Sequence, residues 1–271
     1  MEFGAVVGIH EKPDLAMFDK HIDHGYTCFE IGARSPYIEH DIPDETKRLR
    51  DHLAERGCRV NSIHAGYKMQ FAVSAEDPAV RDETIRQSAK AAKLCVELGG
   101  DIIVVHPGGP VKEVADMDAY IERVFADIGR QAQAIIDEGA RPAIENANPN
   151  GFPDHPDMLM RIVNMFPADK VGVCIDTGHA NFSGHGTDVI DAASGRIITT
   201  HIHDNMGGFD DHQVPGLGTV DWDAYMRAFA EAGYAGPWLF ETGRAGDAVF
   251  TKAEEAQAVL RTAWGKVVIQ A

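Results

Sequence analysis

Short apolar runs alternate with longer stretches of helical periodicity about eight times along the 271 residues. The runs fall at 5–9 (AVVGI), 27–31 (TCFEI), 59–63 (RVNSI), 101–105 (DIIVV), 141–145 (RPAIE), 171–175 (VGVCI), 197–201 (RIITH) and 237–241 (PWLFE). Each is about five residues long and rich in β-branched or aromatic side chains, which predicts strands buried on both faces. Helices are predicted between them. One covers 78–98, with Asp77 as N-cap, Pro78 in the first turn and Gly99-Gly100 as the stop. Another runs over 116–138 and ends at Gly139, and further helices are expected at 44–56, 154–166 and 221–232.

Strands joined by helical crossovers make a parallel sheet with right-handed connections. Eight such units in this length predict an α/β chain folded as one (β/α)8 barrel, a TIM barrel, as a single domain over 1–271. An open doubly wound sheet is the alternative, disfavoured because no GxGxxG turn follows the first strand.

Nine metal-preferring side chains stand at or just beyond these apolar runs: His64, His106, Glu145, Asp176, His179, His201, Asp210, His212 and Glu241. In a barrel, the C-terminal strand ends and the loops after them form the functional face, so all nine can converge on one mouth. Imidazole and carboxylate together suit Zn²⁺ or Mn²⁺ better than Ca²⁺. Glu145, Asp176, His201 and Glu241 come from four successive strands and can form one site of three carboxylates and one imidazole. His64, His106, His179 and His212 add nitrogen donors for a further ion such as Zn²⁺, and a carboxylate such as Glu145 can bridge two ions. The expected cofactor is therefore a divalent metal, as one ion or two.

Composition narrows the partners. The formal charge is −17, which repels a phosphate backbone at long range and disfavours nucleic acid as a partner. The loops after the second, third and seventh strands carry only Arg34, only Lys68 and no basic residue, respectively. No apolar run approaches the ~20 residues of a membrane span. The four cysteines stand singly, with no CxxC pair, and the opening MEFGAVVGIHEKPD lacks the pattern of a secretory signal. A cytoplasmic protein is expected. Helices on a barrel exterior often mediate dimers, so a homo-oligomer is compatible with this reading.

The segments DTGHANF, HIHDNMGGFDDHQVPGLGTVDW and the closing LFE, together with EIGARSP near the start, give the chain a resemblance to the xylose-isomerase-like TIM-barrel superfamily. The resemblance covers nearly the whole chain and is closest to its sugar (phosphate) isomerase and epimerase branch. The superfamily also includes the endonuclease IV type of apurinic-site nuclease. The epimerase pattern implies a metal on Glu145, Asp176, His201 and Glu241, with Glu145 and Glu241 as the catalytic acid/base pair and His179 touching substrate. The endonuclease pattern implies two more ions, one on His64 and His106 with Glu145 bridging, the other on His179, Asp210 and His212.

The expected activity is a metal-dependent isomerase or epimerase of a sugar, sugar phosphate or keto-polyol, working through an enediolate. The same enediolate can expel a β-hydroxyl, which leaves a dehydratase or lyase open, and the full ligand set leaves multi-metal phosphoester hydrolysis open. Glu30 is expected to bond a substrate hydroxyl or to pair with Arg34, and His10 is a candidate floor residue of the pocket. Asp204 reads as a turn former or as a carboxylate orienting a metal-bound imidazole, and Trp222 as packing. His203 is expected to point away from His201. Phe71, Phe152, Phe182 and Phe209 lie in loops where they can shield a sugar from water.

Overall fold

The computed structural model describes residues 1–8, 14–32, 43–65, 72–108, 116–149, 151–153, 155–243, 246 and 248–270. Eight strands form one parallel sheet: β1 Phe3–Val7, β2 Cys28–Gly32, β3 Arg59–His64, β4 Ile102–Val105, β5 Arg141–Glu145, β6 Gly172–Asp176, β7 Ile197–His201 and β8 Trp238–Phe240. Their order is β7-β6-β5-β4-β3-β2-β1-β8, so β7 and β8 are the two edges. The edges meet at Ile202, whose N–H donates to Leu239 O at 2.7 Å and whose carbonyl accepts from Glu241 N at 3.1 Å. That contact brings the barrel round on itself, as the predicted TIM barrel requires.

The strand pattern divides the apolar residues between two places. Successive side chains in a strand alternate faces. Phe29, Ile63, Ile103, Ile144 and Ile175 join the large core under the helices. Ile102, Val104, Ala143 and Cys174 form a separate cluster, as do Val6, Cys28 and Leu239. These two smaller sets are the interior of the barrel. All four cysteines are buried free thiols, and burial pushes the Cys28 and Cys95 thiols up to about 12.

The helices Pro78–Glu97, Met117–Asp137, Pro43–Glu55, Pro156–Val163 and Trp222–Glu231 lie within a few residues of the predicted ones. Asp77 and Asp116 cap as expected, accepting from Ala79 N and Ala119 N at 2.9 and 3.1 Å. The helix Leu15–Asp23 fills the predicted interval between β1 and β2, whereas Ala253–Gln270, after β8, was not anticipated. His179 stands on a short helix, Thr177–Ser183, capped by Asp176, which accepts from His179 N at 2.7 Å. No helix among the described residues is long and apolar enough to cross a membrane.

Candidate metal centre

The inward rows of the barrel lead straight into the site. Val104, Ala143, Cys174 and Leu239 line the interior. Two residues further on, the same inward parity delivers His106, Glu145, Asp176 and Glu241 to the C-terminal rim. His64 and His201 end β3 and β7. Ligand atoms of Glu145, Asp176, His201 and Glu241 lie within 4.8 Å of one another, and all four residues are buried. His201 Nδ1 is the hub, 3.1 Å from Glu241 Oε2, 3.3 Å from Glu145 Oε1 and 3.8 Å from Asp176 Oδ2.

Glu145 divides its oxygens between two donor groups. Oε1 faces His201 and His179, each at 3.3 Å. Oε2 faces Nε2 of His106 at 3.2 Å and of His64 at 3.4 Å, and those two nitrogens stand 3.2 Å apart. A third group forms around Asp210, whose Oδ2 lies 3.1 Å from His212 Nε2 and 3.7 Å from His179 Nε2. The structure thus gathers all nine predicted donors at one rim.

The imidazoles are oriented from behind. His64 Nδ1 faces Ala65 O at 3.3 Å, His179 Nδ1 faces Asn146 O at 3.0 Å and His212 Nδ1 faces Glu241 O at 2.8 Å. His201 Nε2 faces Glu30 Oε1 at 2.8 Å. A carbonyl or carboxylate oxygen only accepts, so each of those ring nitrogens carries the proton. The opposite nitrogen is left with its lone pair turned into the site, as a ligand needs.

This donor set fits a divalent cation. Glu145 Oε2 is buried without a hydrogen-bond partner, although two imidazole nitrogens face it. Lone-pair-bearing atoms share such a space only with a proton or a cation between them. In the metal-free protein, protons take that place. Burial alone would lower each imidazole, but the surrounding carboxylates outweigh it and raise His64, His179, His201 and His212. His106 is the exception: burial, with His64 and His179 adding to it, lowers it to about 4. Burial would likewise raise the carboxyls, yet the imidazoles hold Glu145, Glu241 and Asp210 below the usual carboxylate range.

Two expectations require correction. His203 does not turn away from His201, because residues two apart on a strand share a face. Its Nε2 lies 2.9 Å from Asp176 Oδ1, and its ring stacks on His212 with centroids 4.1 Å apart and planes at 7°. Ligand atoms of His203, His212 and Glu241 come within 4.8 Å of one another. Stacked rings, however, send their in-plane lone pairs along parallel lines, so this trio does not converge on an ion. His203 instead holds Asp176. The signal was present in the HIH spacing.

Glu30 was expected to bond a substrate hydroxyl or to pair with Arg34, and the partners it has are others. It is fully buried beneath His201, with Oε1 on the imidazole and Oε2 accepting from Ser62 Oγ at 2.6 Å. A side chain so enclosed orients His201 rather than meeting a ligand. His10, Arg34, Lys68 and Phe71 lie outside the described residues. Of the other loop aromatics, Phe152 is buried and Phe209 is exposed. Asn146 had no signal in the sequence. Its side chain accepts from Asp176 N at 2.7 Å and donates to Asp176 O at 3.0 Å, joining the ends of β5 and β6.

A TIM barrel with imidazoles and carboxylates gathered at its C-terminal rim defines the class of protein. The chain belongs to the xylose isomerase-like TIM barrel family, whose family model matches residues 18–263. An uncharacterized protein of Sinorhizobium fredii is 31% identical over 231 residues, covering 77% of this chain and 73% of that protein. A probable endonuclease 4 of Halorhodospira halophila is 26% identical over 267 residues, covering 89% and 88%. An L-ribulose-5-phosphate 3-epimerase of Escherichia coli is 22% identical over 209 residues, covering 71% and 68%. Among solved structures, a D-tagatose 3-epimerase-like protein superposes with a TM-score of 0.86 at 21% identity over 100% of this chain and 99% of that one. An IolI protein with a bound zinc atom gives 0.79 at 19% identity over 100% and 99%.

Proposed function

We propose that this chain is a divalent-metal-dependent isomerase or epimerase of a sugar, sugar phosphate or related keto-polyol, with Glu145 and Glu241 as its acid/base pair. The observation that carries the reading is the approach of these two carboxylates to His201 Nδ1, at 3.3 and 3.1 Å, from β5 and β8. They reach one centre from different sides of the mouth. The epimerases among the relatives and structural neighbours support the same class.

When bound, a cation such as Zn²⁺ or Mn²⁺ on Glu145, Asp176, His201 and Glu241 supplies Lewis-acid polarisation of a substrate carbonyl, which acidifies the adjacent C–H. One glutamate takes that proton through a carboxylate oxygen, leaving an enediolate. The other returns a proton, to the same carbon for epimerisation or to its neighbour for isomerisation. His179 Nε2, with its ring fixed by Asn146 O, is assigned to a substrate hydroxyl. Glu30 and His203 stay out of the reaction and hold His201 and Asp176.

The test is solvent deuterium uptake into D-tagatose and L-ribulose 5-phosphate, compounds named for relatives and neighbours of this chain. Wild-type protein loaded with Mn²⁺ should incorporate deuterium at carbon, and both Glu145→Gln and Glu241→Gln should lose this while staying folded. Undiminished incorporation in the two variants would sink the assignment.

A second reading, hydrolysis of a small phosphoester, is favoured by the donors beyond the first four. His64 and His106 on Glu145 Oε2, and His179 and His212 on Asp210, suit a centre with several ions. Long DNA is the weaker substrate, because residues 202–221 contain no Lys or Arg. Release of p-nitrophenol from bis-p-nitrophenyl phosphate, without cleavage of an abasic oligonucleotide, would select this reading.

A further inference from the structure

We propose that Asp204 is the positioning residue that fastens the loop after β7, and so sets Asp210 and His212 in the metal centre. The inference rests on the metal-binding reading only where ion content is measured.

Asp204 is 0% exposed, so its carboxylate must be satisfied within the protein. Among the described residues, its hydrogen bonds go to the segment that follows. Oδ1 accepts from Asn205 N at 3.0 Å and Val220 N at 3.1 Å. Oδ2 accepts from Gly216 N at 2.9 Å and Trp222 Nε1 at 3.1 Å. Its backbone exchanges two further bonds with Gln213, N to O in both directions at 2.8 Å. Residues 205–212 are therefore a closed excursion between Asp204 and Gln213, and Asp210 and His212 ride on its return limb.

Two features show how closely this fastening is built. Gly218 passes so near that a Cβ there would run into Asp204 Oδ1 and the Asn205 backbone. His212 holds a φ of 50°, a left-handed conformation uncommon outside glycine that a local constraint can hold. The constraint is at hand: the neighbouring Gln213 is bridged to Asp204, and His212 Nδ1 donates to Glu241 O at 2.8 Å. Asn205 ties the same excursion to the helix that carries His179, donating to Gly178 O at 2.7 Å and accepting from Asn181 Nδ2 at 2.8 Å. Within HIHDN, His201 enters the centre, His203 holds Asp176, Asp204 holds the loop and Asn205 holds the helix.

The test uses the full chain loaded with Zn²⁺, with ion content read by elemental analysis and loop protection by amide hydrogen exchange. In Asp204→Asn, the amide NH2 faces N–H donors and the charge is gone. Exchange across residues 205–217 should quicken about tenfold or more while β5 and β6 keep their protection. Ion content should fall as it does in His212→Ala, with no additional fall in the double variant. Trp222→Phe removes one donor only and should show a smaller acceleration, which keeps the test usable if Asp204→Asn does not fold. Wild-type exchange in both variants, or faster exchange with ion content retained where His212→Ala loses it, would overturn the proposal. An unchanged ion content in His212→Ala would count against His212 as a ligand, and the exchange rates would then decide the role of Asp204.

Discussion

Glu30 Oε1 lies 2.8 Å from His201 Nε2, on the opposite side of the ring from Nδ1, the nitrogen that faces three carboxylates. The buried pair fixes which ring nitrogen is protonated and therefore which one is a ligand. Replacing Glu30 by Ala frees the ring and takes away the acceptor of the Ser62 hydroxyl proton. It should weaken Zn²⁺ binding about 10–100-fold in a chelator competition titration. Glu30→Gln, which keeps an acceptor oxygen, should do less damage. Equal affinities in Glu30→Ala and wild type would show that the pair has no bearing on the metal.

Gly178 lies flat against the His203 ring, and a Cβ at this position would collide with its Cε1, Nδ1 and Nε2 atoms. Alanine is the better helix former by about 1 kcal/mol. Overpacking costs about 1–3 kcal/mol, and this ring cannot retreat because Asp176 and His212 hold it. Gly178→Ala should therefore lower the urea midpoint. A midpoint at or above that of wild type would mean that the ring moves freely.

His64 and His106 meet Glu145 on the oxygen that His201 does not use. The double variant His64→Ala/His106→Ala should retain the four-donor group and lose about one metal ion per chain by elemental analysis. Full retention of metal would reduce the pair to polar neighbours of the pocket.

The metal-free protein should weaken as pH rises from 6 to 9. His64, His179, His201 and His212 have raised pKa values, so the stability they confer is complete below about 6.5 and is lost as pH climbs through their folded values. Glu145, Glu241 and Asp210 are lowered, and their contribution is lost only on acidification. His106, at about 4, is neutral across the window. Each proton given up is worth about 1.4 kcal/mol per pH unit. Metal competes with those protons, so the stabilisation from added Zn²⁺ should grow over the same range. Urea midpoints with and without chelator check both trends, and a metal-free midpoint that rises toward pH 9 would contradict them.

Much of this was legible because a barrel turns linear position into spatial position. Once the apolar runs were strands, Glu145, Asp176, His201 and Glu241 had to stand on one rim. Glu30 was placed correctly along the chain, but its bond to His201 was not foreseen, since only the closed barrel brings β2 beneath His201. His203 was within reach of a simple period-two rule. The helix at Thr177–Ser183 was hidden by its length and by Gly178, although Asp176 supplies its cap. Ala253–Gln270 buries Ala253, Ala256, Leu260 and Ala263 at helical spacing, but three of the four are alanines, so the buried face stands out little in hydrophobicity.

The seam at Ile202 joins the two free edges of the sheet, and its flanking residues are His201 and His203 on one side and Glu241 on the other. The stitch that finishes the barrel is thus also the spacer between donors from β7 and β8. An intermediate with this seam open would keep β1 through β7 paired yet have no complete four-donor group. Metal uptake during refolding should then report ring closure itself, and ions present at that stage would act as a clasp on the last step of folding.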